Sequence, residues 1–231
     1  MNDDEFGNVV YYHQLLTGER LESLRPRFDR FEYDLVLDIG CGAGKALMRM
    51  HYAFGVLRAE GIEIEDAGKI LRDAIERRKE SNSKRGQDPP RSLPASIEDV
   101  FGFVNHQAND LLPRIETVIE VNQYIKNIRF GTSAVDYQPN RDYYDAVICS
   151  QVLHLMRSEE SCRQVLEMIK NHVHQKSLVF ISVKDGIPTN RGYIEAETLL
   201  TLCAHYRTLL GLKHYLGKHT TQGRAHIYTN L

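Results

Sequence analysis

The sequence predicts an α/β protein: a mostly parallel, seven-stranded sheet with helices on both faces and a C-terminal antiparallel hairpin. Three observations predict it. Short apolar, β-branched runs recur at residues 35–39 (LVLDI), 144–150 (YDAVICS) and 177–183 (SLVFISV), the pattern of strands covered on both sides in a parallel sheet. Stretches with apolar residues at helical spacing separate them, and strands alternating with helices give a parallel sheet with helices on its faces. The last two runs, residues 212–219 and 224–230, instead alternate in polarity close together, as a hairpin does.

The elements follow in order. Residues 35–39 are the first strand, which stops at Gly40-Cys41-Gly42-Ala43-Gly44 before a helix over residues 45–57. Residues 61–65 (GIEIE) make a second strand ending in acid, and residues 66–80 an amphipathic helix with Asp66 as its N-cap. Residues 81–94 are polar and broken by Pro89, Pro90 and Pro94, so they read as a loop. Residues 96–127 are mainly helical, with Leu111, Leu112, Ile115, Val118, Ile119 and Val121 at helical spacing. Residues 128–136 supply another strand and its exit loop. A helix over about residues 159–174 joins the two clearest later strands, and one near residues 193–210 precedes the hairpin. No internal repeat is visible, and residues 1–231 read as one domain. Ligands of such sheets bind at the carboxyl ends of the strands, near the topological switch point.

Composition narrows the function classes. With 231 residues, 42% hydrophobic and 26% charged, the chain has enough apolar side chains for one globular core. No run approaches the roughly 18 apolar residues of a membrane span. The opening MNDDEFGN lacks the basic and apolar regions of a secretory signal. Cys41, Cys149, Cys162 and Cys203 are scattered without a CxxC pair, against a zinc knuckle or disulfide framework. A reduced, cytoplasmic protein is the expectation, with no membrane partner and no metal. Charge is uneven: residues 1–34 carry eight acidic and four basic groups, whereas residues 198–231 hold no Asp or Glu, four Lys and Arg, and four His. Such a tail attracts an anionic ligand, or it faces the acidic beginning of the chain.

The glycine loop is the strongest signal. Glycines let the backbone turn sharply after a strand and pass close to a ligand. A P-loop requires glycine five residues before Gly44 and a hydroxyl residue after the lysine; Ile39 and Ala46 stand there. The GxGxxG dinucleotide fingerprint requires its third glycine where Lys45 stands. The spacing is GxGxG, with Asp38 two residues before the first glycine.

With this loop the chain resembles the class I S-adenosylmethionine-dependent methyltransferases, which share a Rossmann-like fold. The resemblance implies S-adenosyl-L-methionine as cofactor and places Asp38, Gly40, Cys41, Gly42 and Gly44 against its methionine and ribose part. Glu63, 25 residues after Asp38, is then the acid that accepts bonds from the ribose hydroxyls, as in dinucleotide folds. Ile64 matches the residue that packs on adenine. The segment FGTSAVD departs from the family pattern, for Ser133 stands where an acid is commonest. Either Ser133 and Ala134 meet the adenine, or Asp136 does so from a shifted register. YDAVICSQVLHLM resembles the end of strand four in small-molecule methyltransferases, with Ser150 and Gln151 lining the cofactor and His154 toward the transferred methyl. Tyr11 and Tyr12 fall where the family carries a lid over the cofactor and are candidate substrate contacts, so residues 1–33 read as a lid or as an amphipathic helical region. The insertion at residues 81–127 is the other candidate wall of the acceptor site.

Methyl transfer from a sulfonium is an in-line displacement that relies on alignment. A hydroxyl or charged amine also loses a proton, for which His154 is the candidate base; the other reading is a structural histidine bonding its own loop. Ser150-Gln151-Val152-Leu153 stands in place of [DNS]PP[YF], which disfavours adenine and glutamine N-methylation. The chain has no Pro-Cys pair, and it lacks ExxEHH, HExxH and GxSxG. A small-molecule O, N or C acceptor ranks first, RNA (including a cap) second. A non-catalytic S-adenosylmethionine-binding subunit ranks third.

Overall fold

Seven strands among the described residues form a single sheet: β1 (Leu35–Ile39), β2 (Arg58–Glu63), β3 (Ile128–Phe130), β4 (Tyr144–Ser150), β5 (Val173–Lys184), β6 (Lys213–Thr220) and β7 (Gly223–Thr229). The computed structural model describes residues 35–42, 44, 47, 58–70, 72, 73, 76, 127–186, 192–220 and 223–230. The order across the sheet is β3-β2-β1-β4-β5-β7-β6. β1 to β5 pair in parallel, and β7 lies antiparallel between β5 and β6. Chain order reverses between β1 and β4, so their carboxyl ends open side by side at the switch point.

Burial explains why the strands are so uniformly apolar. Val36, Leu37, Asp38 and Ile39 are all buried in succession, as are residues 146–149 and 177–183. Successive side chains point to opposite faces, so both faces of the central strands are covered. The helix α1 (Glu159–Asn171) contributes Cys162, Val165, Leu166 and Ile169, one stripe at helical spacing. Burying each such aliphatic side chain stabilises by about 1.5–3 kcal/mol. Ser158 caps α1 by accepting from the Ser161 amide at 3.1 Å, with Glu159 and Glu160 in the first turn. The helix α2 (Ala196–Leu210) buries Leu199, Leu202, Cys203 and Tyr206 in the same core and ends at Gly211, in a left-handed conformation.

Several boundaries move from the sequence reading. β2 starts at Arg58 and stops at Glu63, leaving Ile64 and Glu65 in its exit turn. α1 ends at Asn171, and β5 begins at Val173, paired with Tyr144 across an irregularity in the register. α2 begins at Ala196 rather than Tyr193. Asp66 does act as a cap, its Oδ1 accepting from the Lys69 amide at 2.8 Å. The hairpin forms at the expected place, and Asp185 ties it to the end of β5 by accepting from the Arg224 amide at 2.6 Å. Residues 1–33 and nearly all of the 81–127 insertion lie outside the described residues.

Candidate functional site

The glycine loop is built by β1 and its neighbour. The Gly40 and Cys41 amides both donate to the Ile62 carbonyl, at 2.8 and 3.1 Å, which folds the chain over the end of β2. Gly40 (φ 70°) and Gly42 (φ 54°) are left-handed, a region side chains rarely enter. Space adds a different reason at each. A Cβ on Gly40 would lie 2.2 Å from Val152 Cγ2, so the β4 exit packs on the bare backbone. A Cβ on Gly42 would meet nothing within 4 Å among the described residues. As far as those residues go, that stretch of backbone is open to close approach.

Glu63 joins the loop to the next strand. Its carboxylate is buried, one oxygen accepting from the Gly42 amide at 2.7 Å and the other from the Glu65 amide at 3.1 Å. The Glu63 and Glu65 carbonyls accept from the Thr132 and Gly131 amides, stapling the β3 exit to the β2 exit. Ser133 and Ala134, both half-buried, therefore lie in the segment that follows this staple. The Ser133 hydroxyl accepts from the Val135 amide at 3.2 Å and its carbonyl from the Asp136 amide, making a tight turn. Asp136 is exposed at the end of that turn. Ile64 is 68% exposed, an apolar side chain in the open beside Glu63.

At the end of β4, the Ser150 hydroxyl lies 2.9 Å from that of Ser182 on β5. Gln151 follows with φ 63°, the one left-handed residue other than glycine among the described residues. A single turn of 3₁₀ helix over Leu153–Leu155 then carries His154. His154 is 6% exposed, and its Nδ1 is buried with no hydrogen-bond partner among the described residues. Burial, helped by the Lys184 charge, lowers its pKa to about 4. The imidazole is neutral at neutral pH, better suited to accepting a hydrogen bond than to removing a proton. Burial and then the Glu63 charge push the Asp38 carboxyl well above the usual range. Burial likewise raises the Cys41 thiol, which stays protonated.

Asp38, Gly40, Cys41, Gly42, Gly44, Glu63, Ile64, Ser133, Ala134, Ser150 and His154 thus come from the carboxyl ends of four parallel strands and the loops that leave them. Solved structures share this fold. The N-methyltransferase NodS from Bradyrhizobium japonicum WM9 superposes with a TM-score of 0.52 over 99% of this chain and 97% of that one, at 13% identity. The chain has the methyltransferase fold. The methyltransferase domain of bacterial CtHen1 (15% identity, 94% and 98% covered, TM-score 0.48) and an S-adenosylmethionine-dependent methyltransferase from Clostridium acetobutylicum ATCC 824 (9%, 95% and 95%, 0.46) are further similar structures. No protein-family model and no curated protein matches the chain.

Two features of this methyltransferase fold escape the sequence reading. Gly61 is needed because a Cβ there would lie 2.7 Å from Cys41 Sγ and 2.9 Å from Leu47 Cδ1. Ser182 is a fully buried hydroxyl in an apolar strand, which signals a polar partner on the neighbouring strand. Tyr11 and Tyr12 lie outside the described residues. Among the described residues, no three His, Cys, Asp or Glu side chains are placed to hold a metal ion, and no helix is long and apolar enough to cross a membrane.

Proposed function

We propose that the chain is an S-adenosylmethionine-dependent methyltransferase acting on a small-molecule O, N or C acceptor. The observation that carries this reading is the pairing of Gly42 with Glu63. A backbone with open space at its Cβ position lies beside a buried carboxylate already bonded to the loop amide. This suits a ligand with a polyhydroxyl sugar: the backbone admits close approach, and carboxylate oxygens have lone pairs left to accept from hydroxyls. When bound, S-adenosylmethionine supplies a methyl group on a sulfonium, a leaving group that departs neutral.

The chain's own residues then do the positioning. Asp38, Gly40, Cys41, Gly42 and Gly44 form the wall for the methionine and ribose, and Glu63 orients the sugar. Ile64 offers an apolar face to the adenine, with Ser133 and Ala134 at its edge. Ser150 lines the cofactor from β4. His154, at the β4 exit, is the residue set toward the acceptor and the transferred methyl. With a pKa lowered to about 4 it orients the nucleophile more than it deprotonates it. Tyr11, Tyr12 and the insertion at residues 81–127 are assigned to the acceptor side from the family resemblance alone, since they lie almost wholly outside the described residues.

RNA as acceptor is the second reading. The acid-free run of residues 198–231 forms most of α2 and the hairpin, where Arg207, Lys213 and Arg224 are exposed. Phosphate contacts there give a steep salt dependence of substrate binding, which a small acceptor lacks.

Calorimetric titration with S-adenosylmethionine, S-adenosylhomocysteine and NAD tests the central claim. Binding of the two sulfur compounds at micromolar affinity, roughly −8 kcal/mol, and its loss in Gly42→Arg are expected. No binding of either, or equal binding by the variant, overturns the reading. Binding without turnover on any acceptor leaves a non-catalytic subunit.

A further inference from the structure

The β4 exit is held in a conformation that its own sequence does not favour. Gln151 adopts φ 63°, which glycine and asparagine enter far more readily than glutamine. The fully buried Ser182 is what engages it. The register sets Ser150 beside Ser182, and their hydroxyls meet at 2.9 Å. The Ser182 carbonyl accepts from the Gln151 amide at 2.9 Å, and its hydroxyl accepts from Gln151 Nε2 at 3.3 Å. One hydroxyl donates once and accepts twice, so a single serine can serve both neighbours.

The left-handed step turns the chain out of the sheet, and two consequences follow within three residues. Val152 is laid on the bare Gly40 backbone, so tightly that a Cβ there would lie 2.2 Å from its Cγ2. The next turn, closed by bonds from the Leu155 and Met156 amides to the Val152 and Leu153 carbonyls, buries His154. The glycine loop and the His154 turn are therefore spaced by the geometry at Gln151.

We propose that Ser182 is a positioning residue of the methyl-transfer site: acting through Gln151, it holds Val152 against the glycine loop and sets His154 relative to the cofactor. The proposal rests on the methyltransferase reading. Ser182 itself touches neither cofactor nor acceptor.

The test compares wild type with Ser182→Ala, with α1 as the internal control for general destabilisation. Calorimetry gives the affinity for S-adenosylhomocysteine, and amide hydrogen exchange reports the turn directly. Ser182→Ala is expected to weaken binding about threefold to tenfold, the range for a lost neutral hydrogen bond. It also speeds exchange at Leu155 and Met156, while the α1 amide of Cys162, bonded to the Ser158 carbonyl, exchanges as in wild type. A wild type that binds while Ser182→Ala binds equally well overturns the positioning role alone. Unchanged exchange at Leu155 and Met156 overturns it too, as does faster exchange in α1, which marks general destabilisation. A wild type that binds no S-adenosylhomocysteine overturns the cofactor reading, and the positioning role with it.

Discussion

Burial holds the His154 imidazole neutral, so acidification charges a group that has no water around it. Its pKa is about 4 in the folded chain and about 6.5 unfolded. Between those values the unfolded state binds more protons, so this group's effect on stability worsens as pH falls from about 7 to 4. A difference of that size amounts to about 3 kcal/mol when complete. Burial also lowers the partly exposed His214, which acts in the same direction. Asp38 acts oppositely, since its raised carboxyl lets the folded protein take up a proton early. The total pH profile therefore mixes signs, and only a difference isolates His154. Urea unfolding of wild type and His154→Gln at pH 7 and pH 4.5 measures it. The variant should gain about 2 kcal/mol on wild type over that interval; a gap that does not change with pH contradicts the buried neutral imidazole.

Between elements, the sheet is tied at the end opposite the glycine loop by a polar cluster. Tyr144, at the start of β4, donates to Glu60 on β2 at 3.0 Å and lies 3.0 Å from the Tyr137 hydroxyl. Arg129 on β3 pairs with the same Glu60 at 2.9 Å. These bonds link β2, β3 and β4 around β1, so removing the central hydroxyl leaves buried polar atoms unpaired. Tyr144→Phe should cost about 1–3 kcal/mol in chemical unfolding, with binding at the far end of the sheet unchanged. A loss under about 0.5 kcal/mol would mean that the cluster is solvated rather than buried. None of this was legible in the sequence, because Glu60 and Tyr144 are 84 residues apart and meet only through strand register. What was legible depended on local pattern. LVLDI, YDAVICS and the hairpin runs carry their own periodicity and turn chemistry, and became β1, β4, β6 and β7. The ends of β2 and β5 did not, for those strands extend through polar residues such as Glu60, His174 and Lys176, which pairing rather than polarity recruits. At the site, GxGxG and the acid 25 residues after Asp38 pointed to Gly42 and Glu63 separately, because spacing from a glycine loop is a local property, but not to the bond between them. The Gln151 conformation and its Ser182 partner were hidden, since nothing in SQV announces a positive φ.

Across the whole molecule, the four cysteines report how well the fold excludes solvent. Cys149, Cys162 and Cys203 belong to one core shared by β4, α1 and α2, and are at most 3% exposed. Burial pushes the Cys162 thiol to about 11 and Cys203 to about 12, and raises Cys149 well above its ordinary value. The thiolate is the reactive form, so all three are protected twice, by access and by protonation. Cys41 differs in place rather than in protonation, for it sits in the glycine loop at 9% exposure. A loop opens more readily than a core does. Native protein treated with an aromatic disulfide reagent at pH 8 should therefore label at Cys41 first. The other three should follow only at the rate of global unfolding, and all four should react promptly in denaturant. S-adenosylhomocysteine should slow the Cys41 reaction in proportion to site occupancy and leave the slow phase controlled by the stability it adds. Prompt labelling of Cys149, Cys162 or Cys203 in native buffer would show that the core between β4 and the helices opens independently of the sheet. A Cys41 rate unaffected by saturating ligand would place the ligand away from the glycine loop.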